Sequence, residues 1–275
     1  PTAYLLVSGA IVLWSMGGIF TKNILDAGVG GLEIAFWRLL LSGVLFCAQA
    51  FVQRDLKLKA ARDLWQFAGF AVFIIGLNYV SFNYAIVYGG VSLVNLLLAT
   101  VPILIAVPAW LFFRERLTLR LISLLALSMV GLFLASSGGG HGVHISFASL
   151  SFCFVAVITT AAFTLASKGL VKRYSPVSMN AFIMPLAALA LLPFVKLQAL
   201  PSHIWFDLLL LVLLPSYLAY LLYQAGLKQL AASEVALLTN LEPVTGLLFA
   251  ALLFGERFTA LGTFGVVLVL TVSVL

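Results

Sequence analysis

SLVNLLLATVPILIAVPAWLFFRERLT, residues 92–118, recurs in altered form later in this chain. Adding 141 to each number reaches residues 233–259, SEVALLTNLEPVTGLLFAALLFGERFT. Ser92, Val94, Leu96, Leu97, Pro102, Ala109, Leu111, Phe113, Glu115, Arg116 and Thr118 meet their own kind at Ser233, Val235, Leu237, Leu238, Pro243, Ala250, Leu252, Phe254, Glu256, Arg257 and Thr259. These are eleven identities in 27 positions, and they include a proline and a Glu-Arg pair that an apolar composition does not supply by chance. The chain is therefore built from two copies of one unit.

Outward from this repeat, apolar windows predict ten membrane helices. In the first half they lie near 3–21, 32–52, 64–86, 91–113 and 118–136, and in the second near 146–167, 177–195, 205–227, 234–254 and 258–275. Ten spans of about 20 residues occupy about 200 residues, so no soluble domain fits beside them. Of the 275 residues 63% are hydrophobic and 9% charged, against about 25% charged in a soluble domain. The expected fold is an all-α integral membrane protein. The expected division is a first five-helix repeat at 1–137, a glycine-rich linker at 138–145 and a second five-helix repeat at 146–275. Five crossings per repeat is an odd number, so the two copies face opposite ways. Inverted repeats of this kind belong to alternating-access transporters, with the substrate site at midplane where the repeats meet. The chain begins at Pro1 and ends at Leu275 inside an apolar run, so trimmed termini are expected.

Basic residues orient the spans. Arg54, Lys57, Lys59, Arg62, Arg114, Arg116, Arg120, Lys168, Lys172, Arg173 and Lys228 fall on one side, and Lys22, Lys196 and Arg257 on the other. Eleven against three predicts cytoplasmic N- and C-termini. Arg38 lies inside the second span. The net charge of +6 is thus topology signal, and no nucleic-acid partner is expected. Cys47 and Cys153 sit in apolar stretches and are read as packing residues, without a disulfide.

Three stretches carry a resemblance. The first span reads Trp14-Ser15-Met16-Gly17-Gly18-Ile19-Phe20-Thr21-Lys22, the second opens with FWRLLLSG around Arg38, and Pro102 to Glu115 recurs as Pro243 to Glu256 beside Asn240-Leu241-Glu242. In these the chain resembles the drug/metabolite transporter superfamily, in its ten-helix branch of two EamA-type repeats. Ser15 stands where that family usually has glycine. Within the branch the chain looks most like bacterial exporters of aromatic and other neutral amino acids. The resemblance implies a multi-pass protein of the bacterial inner membrane.

Glu242 is the sharpest single candidate. A charge in the ninth span costs several kcal/mol unless paired, solvated or protonated, so an acid there is expected to contact a substrate ammonium or a coupling proton; capping freed carbonyls near Pro243 is the structural alternative. Pro102 and Pro243 sit at equivalent depths, where each removes a helix hydrogen bond, and are expected to serve as gating points. Asn95 and Ala99 share a face with Pro102, and Asn240 one with Pro243. Asn78 and Phe82 in the third span, Tyr217, Tyr220 and Gln224 in the eighth, Trp14 in the first and Phe163 in the sixth are expected to line a cavity of rings and amides. Trp37, Trp65 and Trp205 read as interfacial belt residues. Lys22 and Lys168 read as snorkelling to headgroups, and Arg38 as pairing with Glu33 or Asp26 on the outer side. Glu242 is then the one charge at mid-membrane, which points to a neutral or zwitterionic solute.

Enzyme chemistry is not expected. His141, His144 and His203 lie in outer loops without Cys, Asp or Glu nearby, so neither a metal site nor a cofactor is implied, and no phosphate-binding glycine loop is present. The reading is a secondary transporter, expected as a monomer, that exports amino acids across the inner membrane, with membrane lipid as its only other partner. An exporter of another small neutral or cationic metabolite or drug is the alternative, and a channel a further one.

Overall fold

The computed structural model describes residues 2–98, 100–114, 118–137, 145–198, 200–254 and 259–274. His141, His144, Glu115 and Glu256 lie outside them. Every regular element among them is helical. Six long apolar helices are α1 (Thr2–Asp26), α2 (Gly31–Val52), α3 (Ala61–Gly90), α6 (Phe147–Leu170), α7 (Pro176–Phe194) and α8 (Ile204–Leu227). Two further spans are interrupted: α4 consists of 91–98 and Val101–Phe113, and α9 of Ala232–Thr239 and Leu241–Phe254. α5 (Leu119–Ser137) and α10 (Ala260–Val274) complete ten. Large apolar side chains such as Phe73, Phe154 and Phe133 are exposed on the outer surface, as a chain in lipid requires.

The packing follows the internal repeat. α2 packs on α7, α4 on α9 and α5 on α10, each pairing a helix with its counterpart five spans later. The remaining large contacts come in exchanged pairs: α3 with α6 and α8 with α1, α4 with α6 and α9 with α1, α3 with α7 and α8 with α2. Counterparts run in opposite directions because five crossings separate them, so these are two inverted five-helix repeats.

Helix irregularities repeat as well. The helix is π-wound at Ala71–Gly76 in α3 and at Val212–Leu218 in α8, positions that the 141-residue offset superimposes. In α8 the cause is visible. Pro215 has no N–H for the Leu211 carbonyl, and the Ser216 hydroxyl supplies it at 2.8 Å instead. The interruptions in α4 and α9 also have a common cause. A proline clashes with the carbonyl four residues earlier; the leading piece of α9 ends at Thr239, four residues before Pro243, and α4 is interrupted by the turn at Thr100, two residues before Pro102. The Thr100 hydroxyl takes up Leu97 O at 2.7 Å and the Thr239 hydroxyl takes up Ala236 O at 2.7 Å.

Several polar cross-links join ends that alternating crossings place on one side. At the basic side Arg173 pairs with Asp63 at 2.7 Å, Tyr174 donates to Asp63 at 2.6 Å and accepts from Lys59 N–H at 2.9 Å, and Ser175 donates to Asp55. Burial, reinforced by the Asp63 acceptor, holds the Tyr174 hydroxyl above the usual tyrosine range. Lys168 donates to Leu227 O at 2.8 Å and to Leu230 O, so it caps the end of α8 and does not snorkel. At the other side Asn83 donates to Gly31 O at 2.7 Å and Glu33 accepts Gln198 N–H at 3.1 Å. Trp37 is half-buried and packs edge-on against Phe36 and the exposed Trp205, while Trp65 is exposed.

Gly90 joins α3 to α4 with φ 76° and ψ 165°, a region open essentially to glycine alone. A Cβ there would meet nothing within 4 Å, so the cost of Gly90→Ala is purely conformational. It is expected to lower stability by about 1–3 kcal/mol, read as a lower midpoint in detergent thermal unfolding. An unchanged midpoint would show that the turn relaxes without strain.

Candidate functional site

The interruptions of α4 and α9, the π turn of α8 and the middle of α1, α3 and α6 converge on one cavity of about 110 Å3. A water needs roughly 10–15 Å3 by this measure, so the hollow has room for several water-sized groups. Its wall includes Trp14, Arg38, Asn78, Tyr79, Phe82, Thr160, Phe163, Tyr220, Tyr223, Thr239, Glu242 and Pro243.

Four rings form its apolar part. Trp14 lies 4.7 Å from Tyr223, 5.7 Å from Tyr220 and 6.2 Å from Phe163 between centroids, and Phe163 lies 5.2 Å from Tyr220. Each is held by its own bond or packing. Trp14 Nε1 donates to Pro215 O at 2.9 Å, a carbonyl inside the π turn, and the Tyr223 and Thr164 hydroxyls share a hydrogen bond of 2.7 Å. Asn78 is anchored to α6, donating to Thr160 Oγ1 at 2.9 Å and Thr159 Oγ1 at 3.0 Å.

The polar part is carried by Glu242 and Arg38. Glu242 is the second residue of Leu241–Phe254, so its carboxylate sits where unsatisfied N–H groups and the helix dipole favour negative charge. Arg38 is only 7% exposed. Its Nε donates to Ser216 Oγ at 3.1 Å, and its guanidinium carbon stands 4.5 Å from the Tyr79 ring centroid. Arg38 therefore points into the cavity and not towards Glu33 or Asp26. The expectation of a single charge at mid-membrane is corrected accordingly: the wall holds one of each sign.

Of the residues expected at the site, Trp14, Asn78, Phe82, Phe163, Tyr220, Glu242 and Pro243 come together on the wall. Tyr217, Gln224 and Asn240 do not. Tyr217 packs on Phe46 at 4.8 Å and donates to Gln49 at 2.8 Å, because the π turn it belongs to breaks the spacing of 3.6 that aligned it with Tyr220. Gln224 lies one turn past Tyr220, where its Oε1 accepts from Asn180 Nδ2 at 2.7 Å. Asn240 donates to Ser128 Oγ at 2.9 Å and is buried between α9 and α5. Pro102 begins the second piece of α4, adjoining wall residue Val101. Ala99 and the Asn95 side chain lie outside the described residues. Tyr223, Thr160 and Thr164 were missed; the spacing of three between Tyr220 and Tyr223 was the available signal for the first.

Among known proteins, the EamA-like transporter family profile matches residues 1–137 and again 148–275. The chain belongs to the EamA-like transporter family. It is thereby a member of the drug/metabolite transporter superfamily, a membrane transporter and not an enzyme. Relatives of this EamA-like transporter are similar over most of their length. The uncharacterized inner membrane transporter YicL of Salmonella typhimurium is 24% identical over 275 residues, 97% of this chain and 92% of that one. An uncharacterized transporter of Archaeoglobus fulgidus is 22% identical over 232 residues, 83% of this chain and 82% of that one. A Salmonella typhimurium protein named "Probable amino-acid metabolite efflux pump" is 26% identical over 172 residues, 58% of each chain. A crystal structure of 16% identity superimposes with a TM-score of 0.82 over 98% of this chain and 94% of the other, which supports the fold.

Proposed function

We propose that this EamA-like transporter is a secondary exporter of amino acids, aromatic and other neutral ones, in the bacterial inner membrane, working by alternating access around the central cavity. The observation that carries the reading is the mid-membrane hollow walled by Trp14, Phe163, Tyr220 and Tyr223 beside Glu242. Rings of this kind receive an apolar side chain while a few polar groups fix the rest of the solute. Asn78 and Phe82 complete the wall on α3. Pro102 and Pro243 are the flexing points, since each follows an interruption of its span. The similarity to the Salmonella efflux pump and to YicL supports both the solute class and the membrane. Arg38 in the same wall disfavours a purely cationic drug.

The experiment is counterflow of a panel of labelled metabolites in proteoliposomes, with and without a pH gradient. Saturable counterflow of L-phenylalanine is expected, and Trp14→Ala is expected to weaken it about tenfold by removing the ring that touches the other three. Exclusive transport of a non-amino-acid solute, unchanged kinetics in Trp14→Ala, or single-channel currents in a planar bilayer would each overturn the reading.

A further inference from the structure

Glu242 and Arg38 share one low-dielectric hollow, yet no ion pair joins them; the ion pair formed among the described residues is Arg173 with Asp63. The guanidinium spends one N–H on Ser216 Oγ and its face on Tyr79. Arginine carries five N–H donors, and the others have no protein acceptor among the described residues. Tyr79 lines the same cavity, is 4% exposed, and its buried hydroxyl faces that of Tyr220 without forming a well-aligned hydrogen bond. A buried charge and a buried hydroxyl left open are costly unless something else satisfies them.

We propose that Arg38, with the Tyr79 hydroxyl beside it, is the carboxylate anchor of the transported solute, so that the solute lies across the cavity with its carboxylate on α2 and α3 and its ammonium towards Glu242. The assignment rests on the reading of this cavity as the substrate site. A guanidinium fork matches a carboxylate in two parallel hydrogen bonds. The Ser216 bond and the Tyr79 ring hold that fork in place before solute arrives, which lowers the ordering cost of binding. The π turn of α8 is what carries Ser216, so the anchor and the Trp14 contact with Pro215 O are set by one element.

The test uses the purified full chain in proteoliposomes with labelled L-phenylalanine and labelled phenethylamine, and unlabelled phenylalaninamide and 3-phenylpropionate as competitors. In the wild type, phenylalaninamide, whose carboxylate is blocked, is expected to compete about tenfold more weakly than L-phenylalanine, and 3-phenylpropionate to retain measurable competition. Arg38→Gln is expected to lower L-phenylalanine uptake about tenfold and to raise phenethylamine uptake relative to it, with Arg38→Lys between the two. Equal competition by L-phenylalanine and its amide, or an undiminished preference for the free carboxylate in Arg38→Gln, overturns the assignment of Arg38 alone, because transport through the cavity would still be seen. Background uptake of every probe by folded wild type overturns the transport reading and this inference with it. The wild-type competitor ranking needs no variant, so it decides the matter even where Arg38→Gln fails to fold.

Discussion

Glu242→Gln is expected to reduce transport roughly 10–100-fold, the range given by losing one charge-assisted contact of about 1.5–3 kcal/mol, while folding is retained. The substitution keeps the shape of the side chain and removes only its charge and its capacity to carry a proton. The carboxylate lines the cavity just past the interruption of α9. There it can meet a solute ammonium in one state and be neutralised in another, which an amide cannot do. Stability points the other way. The amide keeps a side-chain oxygen that accepts from the free N–H groups at the start of Leu241–Phe254, so the helix start is expected to survive the change. Counterflow and pH-driven accumulation, measured beside thermal unfolding of the same preparation, separate the two effects. Full transport at normal expression would remove Glu242 from the mechanism.

Gly265→Ala is expected to produce the largest loss of stability. α5 and α10 meet through Gly131, Ala135, Gly265 and Val269, an arrangement in which small residues let backbones touch in lipid. A Cβ on Gly265 would fall within contact of Ala135 N and Gly131 O, and one on Gly131 would lie 2.9 Å from Val269 Cγ2 and 3.1 Å from Gly265 O. These neighbours are largely backbone, so a change of rotamer offers no relief. The helices must separate, and separation undoes the Leu132, Val244, Val266 and Val269 cluster. Overpacking of a core typically costs about 1–3 kcal/mol; contact with backbone places this case at the top of that range. Gly69→Ala is the matched control, since nothing lies within 4 Å of its Cβ position and alanine in a helix is worth about 0.5–1 kcal/mol over glycine. A lower unfolding midpoint for Gly265→Ala, with an equal or higher one for Gly69→Ala, is the expected pair of results. Equal midpoints would show that α5 and α10 are not held by this contact.

Much of the architecture was legible because membrane spans announce themselves in one dimension. Apolar runs located the ten helices, and the Ser92–Thr118 repeat announced two copies facing opposite ways. The prolines marked the interruptions of α4 and α9 because their clash is local. Reading failed where helical winding departs from 3.6 residues per turn. Tyr217 was assigned to the cavity face on that spacing, and the π turn at Val212–Leu218 rotates it onto α2. Arg38 was placed near the outer edge by counting from the start of its helix. That count is blind to the reach of a long side chain and to the face it occupies against Tyr79. Glu242 was legible because an acid inside an apolar run has few structural uses.

A single residue, Gly90, stands between α3 and α4, whereas 228–231 stand between α8 and α9. The related halves are thus hinged unequally. At one face of the membrane two helices share a stiff corner and must swing together. At the opposite face their counterparts are joined by a longer turn, which Lys168 holds at Leu230 O. A protein twofold in pattern is lopsided in compliance, and its inward and outward openings need not cost the same.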